Sequence, residues 1–240
     1  MSEKHQDDRC AAPNDPAEIE ASTKKDHPFW DFWGPVLFTL GLVIGIRHYI
    51  AEARYIPSRS MFPGLQVQDR LIVEKLALRN RSPRRGEIVV FNSPHSFDQV
   101  WSASYANPPS FLRCALVNIP VLGWVQELRH PACSAYIKRV VGVGGDQISV
   151  NPIGEVSING QMVDEPYVTN YCPVDKQGMG PCPTLNVRVP RGHVLVLGDN
   201  RGNSSDGRYW PGGAFLPERE IIGRAVWRFW PFNRVGSLGS

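Results

Sequence analysis

The sequence predicts a mainly β domain behind a single N-terminal transmembrane helix. Three observations predict it. Short Val/Ile-rich runs bounded by Gly, Pro or Asp recur from Leu71 onward, as strands closed by turns do. Gly (22) and Pro (21) are abundant, and "ISVNPIGEVSING" alternates apolar with polar residues. The only long apolar run lies ahead of all of these. With 240 residues and a net charge of +3, the chain can build one large domain or two small ones. No basic stripe interleaved with aromatics appears, so nucleic acid is not an expected partner.

Residues 1–28 are polar and bury too little apolar surface to offset ordering entropy, so a disordered tail is expected. "FWDFWGPVLFTLGLVIGIRHYI", residues 29–50, comes next. Its uncharged part, 32–46, is shorter than the roughly 20 residues of a usual span. Trp30, Trp33 and Tyr49 nevertheless stand where interfacial aromatics belong, and Arg47 can snorkel. A transmembrane anchor is the expectation. One rival is a cleaved signal peptide, because "AEA" at 51–53 offers a small-x-small pattern; the long tail in front argues against it. Another is a buried core helix, which would need apolar partners all round. Gly41 and Gly45 form a G-x-x-x-G, a weak dimer signal. Charges on the two flanks balance, so the positive-inside rule gives no orientation.

Strands are expected in "RLIVEKL", "GEIVVFNSP", "AYIKRVVGV", "DQISV", "EVSING", "HVLVLGD" and "IIGRAVWRFW". Residues 95–134 interrupt the series and read as an insertion, within which "FLRCALVNIPVLGWVQEL" suits a short amphipathic helix or a surface hairpin. The expected organisation is a tail at 1–28, an anchor at 29–50 and a β domain at 51–240.

The five cysteines include no C-x-x-C and the six histidines are scattered, so neither a metal nor another cofactor is expected. Cys172 and Cys182 flank a Pro/Gly-rich loop, and Cys114 and Cys133 flank an apolar insert. Either pair closes a loop in an oxidising compartment or stays reduced.

Three stretches carry chemistry. In "YIKRVVGVGGDQ", strand alternation puts Tyr136, Lys138 and Val140 on one face and Ile137, Arg139 and Val141 on the other. Lys138 then has apolar and aromatic neighbours. A buried lysine can lose its proton near neutral pH and act as a general base; the alternative is a lysine snorkelling from a sheet edge. Arg139, facing away, suits a structural ion pair. "GDNRGNSSDGRYW", residues 198–210, is a polar loop whose Asx and Ser side chains can rigidify it; its plain alternative is a turn with Asp206 and Arg208 as a surface pair. "PSRSMFPGLQ", residues 57–66, sets Ser58 and Ser60 two apart just past the apolar run, in a plain loop or as a nucleophile.

Together, "IPSRSMFPGL", "RRGEIVVFNSP", "YIKRVVGVGGDQI" and "LGDNRGNSSDGRYW", in this order behind an anchor, closely resemble the motif set of type I signal peptidases. The end of the chain, "IIGRAVWRFWPFNRVGSL", is most similar to cyanobacterial and plastid members. The resemblance covers about residues 29–237. It implies a signal-peptidase-like (LexA-like) antiparallel β fold and a membrane-bound serine endopeptidase that removes signal peptides from secretory preproteins, cutting after small residues at −1 and −3. It implies Ser60 as nucleophile and Lys138 as general base, with Ser58 joining the Ser60 N–H in the oxyanion hole and Ser204 orienting the lysine. Asp199 with Arg139, and Asp206 with Arg208, resemble the bracing ion pairs. Ile56, Leu65, Tyr136 and Ile137 resemble residues lining the shallow substrate pockets. A monomer is implied, in contact with lipid, in the plasma or thylakoid membrane with the catalytic side periplasmic or lumenal.

Three departures stand out. Gly202 replaces the usual Asp, Gly207 stands where Ser is common, and "RYWPGGAFLP" is longer than the usual continuation. Local loop changes are expected from them. "AEA" is also a candidate self-cleavage site. The other reading of the whole is a non-catalytic, membrane-anchored β module acting in assembly. Self-cleaving repressors of the LexA type share the Ser/Lys logic but would need a DNA-binding helix pair, which the sequence does not offer.

Overall fold

The computed structural model describes residues 28–104, 133–173 and 182–239. The chain falls into two units, 1–42 and 43–240. Helix α1 runs Pro28–Tyr49. Its large apolar side chains, among them Phe32, Leu37, Phe38, Leu42 and Ile44, are exposed around the whole helix. The stretch Phe29–Tyr49 has mean hydropathy 1.6 and nothing in it is buried. A core helix would have a packed face, so this helix is a candidate membrane span.

Strand β1, Ala51–Tyr55, pairs antiparallel with β2, Arg70–Glu74, from Ala51↔Glu74 to Tyr55↔Arg70. "AEA" is therefore edge-strand backbone held in a ladder. Its cleavage requires that edge to peel away.

Short helix α2, Ala77–Asn80, precedes strand β3, Ile88–Asn92. Helices α3, Pro94–Phe97, and α4, Gln99–Ala103, open the segment read as an insertion. Its apolar stretch and Cys114 lie outside the described residues. The described chain resumes before β4, Ala135–Val143. Then come β5, Gln147–Val150, β6, Val156–Ile158, and β7, Gln161–Met162. After β8, Leu185–Arg188, and β9, His193–Leu197, follow β10, Phe215–Pro217, β11, Ile221–Trp230, and β12, Gly236–Ser237. Each run expected to be a strand holds one. Those missed (β1, β7, β8, β10, β12) are edge strands or pieces of two to five residues, too short for an alternation to stand out.

The main sheet has the order β1-β2-β11-β3-β4-β9-β10, with β12 on β11; the second is β7-β6-β5-β8. Every strand pairing in both is antiparallel. The central strands are covered on both faces. Along β3, Ile88 and Val90 join one core cluster and Val89 and Phe91 another. Along β9, Val194 and Val196 share the latter cluster, while Leu195 and Leu197 face a third, beneath β5 and β6. Two covered faces explain why these strands read as continuous apolar runs.

Candidate active site

Three segments converge on Ser60. The first is the loop between β1 and β2. Its base is closed by Ile56 N–H to the Asp69 carbonyl (3.0 Å) and Gln68 N–H to the Ile56 carbonyl (2.9 Å). Met61 and Leu65, both fully buried, plug it into the core cluster of Leu71, Val73, Val90 and Ile137. Asp69 accepts from Gln66 N–H (2.8 Å) and from Arg234 Nη1 (2.9 Å). The loop is thus stiff without regular structure, and Ser60 is mounted on it.

The second segment is β4. Here β3 pairs with Ala135 through Arg139, whereas β9 joins the other edge only from Arg139 onward. Alternation holds as read: Tyr136 and Val140 share one cluster, Ile137 and Val141 turn to others. Lys138 Nζ donates to Ser60 Oγ (2.9 Å) and to the Ile137 carbonyl (3.0 Å). Both partners are buried, Lys138 at 3% exposure and Ser60 at 8%. No carboxylate forms an ion pair with Lys138 among the described residues. Burial therefore lowers its pKa from 10.5 to about 8, against an opposing pull from Asp206 and Asp199.

The third segment follows β9. Asn200 N–H donates to the Ser60 carbonyl (3.1 Å), tying this loop to the serine loop. Gly198 is where they meet: a Cβ there would lie 2.5 Å from the Ser60 carbonyl and 2.2 Å from Ser204 Oγ. Only glycine permits that approach.

The remaining residues expected at the site fall out as follows. Ser58 Oγ is 3.4 Å from Ser60 Oγ. Ser60 N–H makes no hydrogen bond among the described residues. Ser204 is buried beside the pair, but its hydroxyl, pressed against Gly198, has no hydrogen-bond partner among the described residues. The expected Ser204–Lys138 bond is therefore not formed here, and the amine's donors go to Ser60 and Ile137 instead. Arg139 grips Asp199 through two bonds, 2.8 and 2.7 Å, and reaches the Gly86 carbonyl at 2.7 Å. Arg208 holds Asp206 in the same bidentate way (2.8 and 2.9 Å), and Asp206 also accepts from Gly198 N–H at 2.9 Å. Asp206 and Arg208 are buried, so the surface-pair alternative does not hold.

Tyr136 and Ile137 line a groove of about 380 Å³ with Ser58, Ser60, Ala135 and Lys138. Ile56 and Leu65 lie beneath it, buried in the core that supports the serine loop.

Sequence reasoning missed one buried pair. Arg201 is fully enclosed and binds Glu165 through bonds of 2.9 and 2.6 Å, and also contacts the Gly154 and Gly198 carbonyls. Tyr167 bridges two pairs: its hydroxyl donates to Glu165 (2.8 Å), and the Arg139 guanidinium lies 3.9 Å from its ring centre. Arg201 sits inside "GDNRG", but its partner is 36 residues away, beyond any local pattern.

Cys172 and Cys182 are joined in a disulfide that lies on this network. Arg208 Nη1 donates to Cys172 Sγ and the Tyr209 hydroxyl to Cys182 Sγ, each at 3.3 Å. Cys133 is also disulfide-bonded. Two of the departures have local reasons. A Cβ on Gly202 would lie 3.0 Å from the Tyr171 carbonyl, just before the disulfide. One on Gly207 would lie 2.5 Å from the Ala214 carbonyl, in the lengthened continuation that folds back as β10.

A family model described as signal peptidase, peptidase S26, matches residues 30–230. The chain is 41% identical over 223 residues to "Probable signal peptidase I-2" of Synechocystis sp., covering 91% of this chain and 83% of that one. It is 40% identical over 226 residues to "Signal peptidase I" of Leptolyngbya laminosa, covering 93% and 91%. It is also 33% identical over 192 residues to "Probable thylakoidal processing peptidase 2, chloroplastic" of Arabidopsis thaliana, covering 80% of this chain and 41% of that one.

Proposed function

Because this chain belongs to the S26 signal peptidases, serine endopeptidases that remove signal peptides from preproteins, we propose that Ser60 and Lys138 are its catalytic dyad. One observation carries the assignment: a lysine amine, enclosed and with no ion-pair partner among the described residues, 2.9 Å from a serine hydroxyl. Neutral Lys138 accepts the Ser60 proton as Oγ attacks the carbonyl carbon of the scissile bond. Ser60 N–H and the Ser58 hydroxyl donate to the oxyanion, a contribution on the order of 3 kcal/mol per donor in acyl transfer. Protonated Lys138 then donates to the leaving amine, the new N-terminus of the mature chain. Water, deprotonated by the same amine, hydrolyses the acyl-enzyme and frees Ser60.

Ser204, buried against Gly198 where the two loops meet, is assigned as a positioning residue whose hydroxyl turns to the amine when substrate is bound. The pair Arg139–Asp199 holds β4 and the loop after β9 at fixed separation, which proton transfer over hydrogen-bond distance demands, and Asp206–Arg208 braces that loop from within. An extended substrate laid along β4 ahead of Arg139 would place side chains at −1 and −3 against Tyr136 and Ile137, and a shallow floor suits small ones. Trp227, Trp230 and Phe232, all exposed, are suited to a lipid surface. The site is complete within one chain, as a monomeric enzyme requires. The non-catalytic assembly reading is not favoured: it leaves the enclosed, unpaired amine without a use.

Incubation with a preprotein bearing an Ala-x-Ala site tests the dyad. Ser60→Ala protein is expected to fold with an unchanged melting temperature and to yield no mature product. Normal turnover by that variant would reject the assignment.

A further inference from the structure

A second groove, of about 550 Å³, opens on the other side of Ser60. Arg59 and Asn203 line both grooves and form the saddle between them. A chain lying in the first groove, with its carbonyl at Ser60 Oγ, can continue over this saddle into the second. The floor of the second groove is fixed. Asn200 Nδ2 donates to the Arg59 carbonyl (2.9 Å), and Asn170 Nδ2 donates to Asn200 Oδ1 (2.5 Å). The remaining polar side chains are uncommitted: the Arg59 guanidinium and the amides of Gln66 and Asn203 make no hydrogen bond or ion pair among the described residues. Phe62 and Val67 supply apolar wall, and no carboxylate lines the groove among the described residues. An uncompensated cation thus stands beside the nucleophile, on the side away from Tyr136 and Ile137.

We propose that this second groove binds the first residues of the mature chain, those just after the scissile bond, and favours acidic side chains there through Arg59. The proposal rests on the dyad reading, which sets the direction of the substrate. Gln66 and Asn203 present amides to the mature segment's backbone, and Arg59 supplies the charge preference. The groove is open, so the preference is modest and falls with added salt.

The test uses the full-length enzyme in detergent and one preprotein with Asp, Ala or Lys placed in turn at the first three mature positions. In the wild type, kcat/KM is expected to favour Asp over Lys by roughly two- to fivefold at one or more of these positions, and less so in high salt. Arg59→Glu is expected to invert the ratio. Val67→Lys, on the far wall and away from the dyad, is expected to strengthen it, and Val67→Glu to weaken it. Ratios compare substrates on one enzyme, so lower overall activity in a variant does not disturb them. A wild-type ratio of one at all three positions overturns the proposal, as does a ratio indifferent to both Val67 substitutions. If the Arg59 variant proves inactive, the Val67 pair decides. Failure of the wild type to cut any of the substrates would instead count against the dyad reading.

Discussion

Lys138 and Arg139 are adjacent on β4, both buried, and they live in opposite electrostatic worlds. Arg139 has a bidentate carboxylate in Asp199, a carbonyl from Gly86 and a Tyr167 ring against its plane. Arg201 and Arg208 repeat that pattern with Glu165 and Asp206. Lys138 has a hydroxyl, a carbonyl and, among the described residues, no paired carboxylate. Charge is held firmly in the braced region and loosely in the cleft. A structural cation must be satisfied, whereas a general base must be able to lose its proton. The sheet's alternation lets one strand do both, one residue apart.

The largest expected effect comes from giving Lys138 the permanence of its neighbour. Lys138→Arg keeps the charge but cannot deprotonate, so preprotein processing should fall by at least about a thousandfold at every pH. In the wild type, kcat/KM should rise about tenfold per pH unit up to about pH 8 and then level, as the amine becomes neutral. A flat profile from pH 6 to 9 would break the comparison. Stability has its own signature. The folded pKa, about 8, lies below the ordinary 10.5, so the unfolded chain binds more protons between those values. Stability therefore rises with pH across that window, and the full cost is present below it. Lys138→Met should remove a cost of about 3 kcal/mol at pH 7, raising the melting temperature of an inactive enzyme.

Next in size is the braced side. Glu165→Ala strands Arg201 in the interior and should cost about 3–5 kcal/mol, read by chemical denaturation. A loss under 1 kcal/mol would mean that Arg201 finds other partners or water. Smaller again is the disulfide. Reducing Cys172–Cys182, which closes a loop of 10 residues' separation, should cost about 2–3 kcal/mol. It should also loosen residues 198–208, measurable as faster amide exchange there. Smallest is Arg219→Ala, which removes an exposed pair with Glu220 and should change stability by less than about 0.5 kcal/mol. It serves as the control for the other charge deletions.

Ser58, Ser60, Lys138, Arg139, Asp199, Asp206 and Arg208 were legible because each sits in a short string whose residue types and order carry a recognisable pattern. The faces of β4 were legible from its period of two. Ser204 was legible as a residue of the site loop, but that its hydroxyl makes no bond to Lys138 was not, because the side chain's direction depends on how closely Gly198 lets the serine loop approach. Ile56 and Leu65 were legible as apolar residues near the site; that they support it from below, and that Tyr136 and Ile137 line it, depends on which cluster each meets. "AEA" read as a processing site because nothing local reveals that it pairs with β2.

By itself, the sequence determined the long apolar helix, the succession of strands and the chemical types present at the proposed dyad, since periodicity, turn residues and side-chain chemistry are local properties. Only the tertiary structure decided that the Lys138 amine is enclosed with no carboxylate partner among the described residues. It also decided that Glu165 meets Arg201, that a disulfide backs their loop, and that a second groove opens beyond Arg59. These depend on segments separated by 36, 78 or 141 residues meeting at hydrogen-bond distance. Burial and pairing, which set whether a charge is kept or surrendered, exist only once those segments have met.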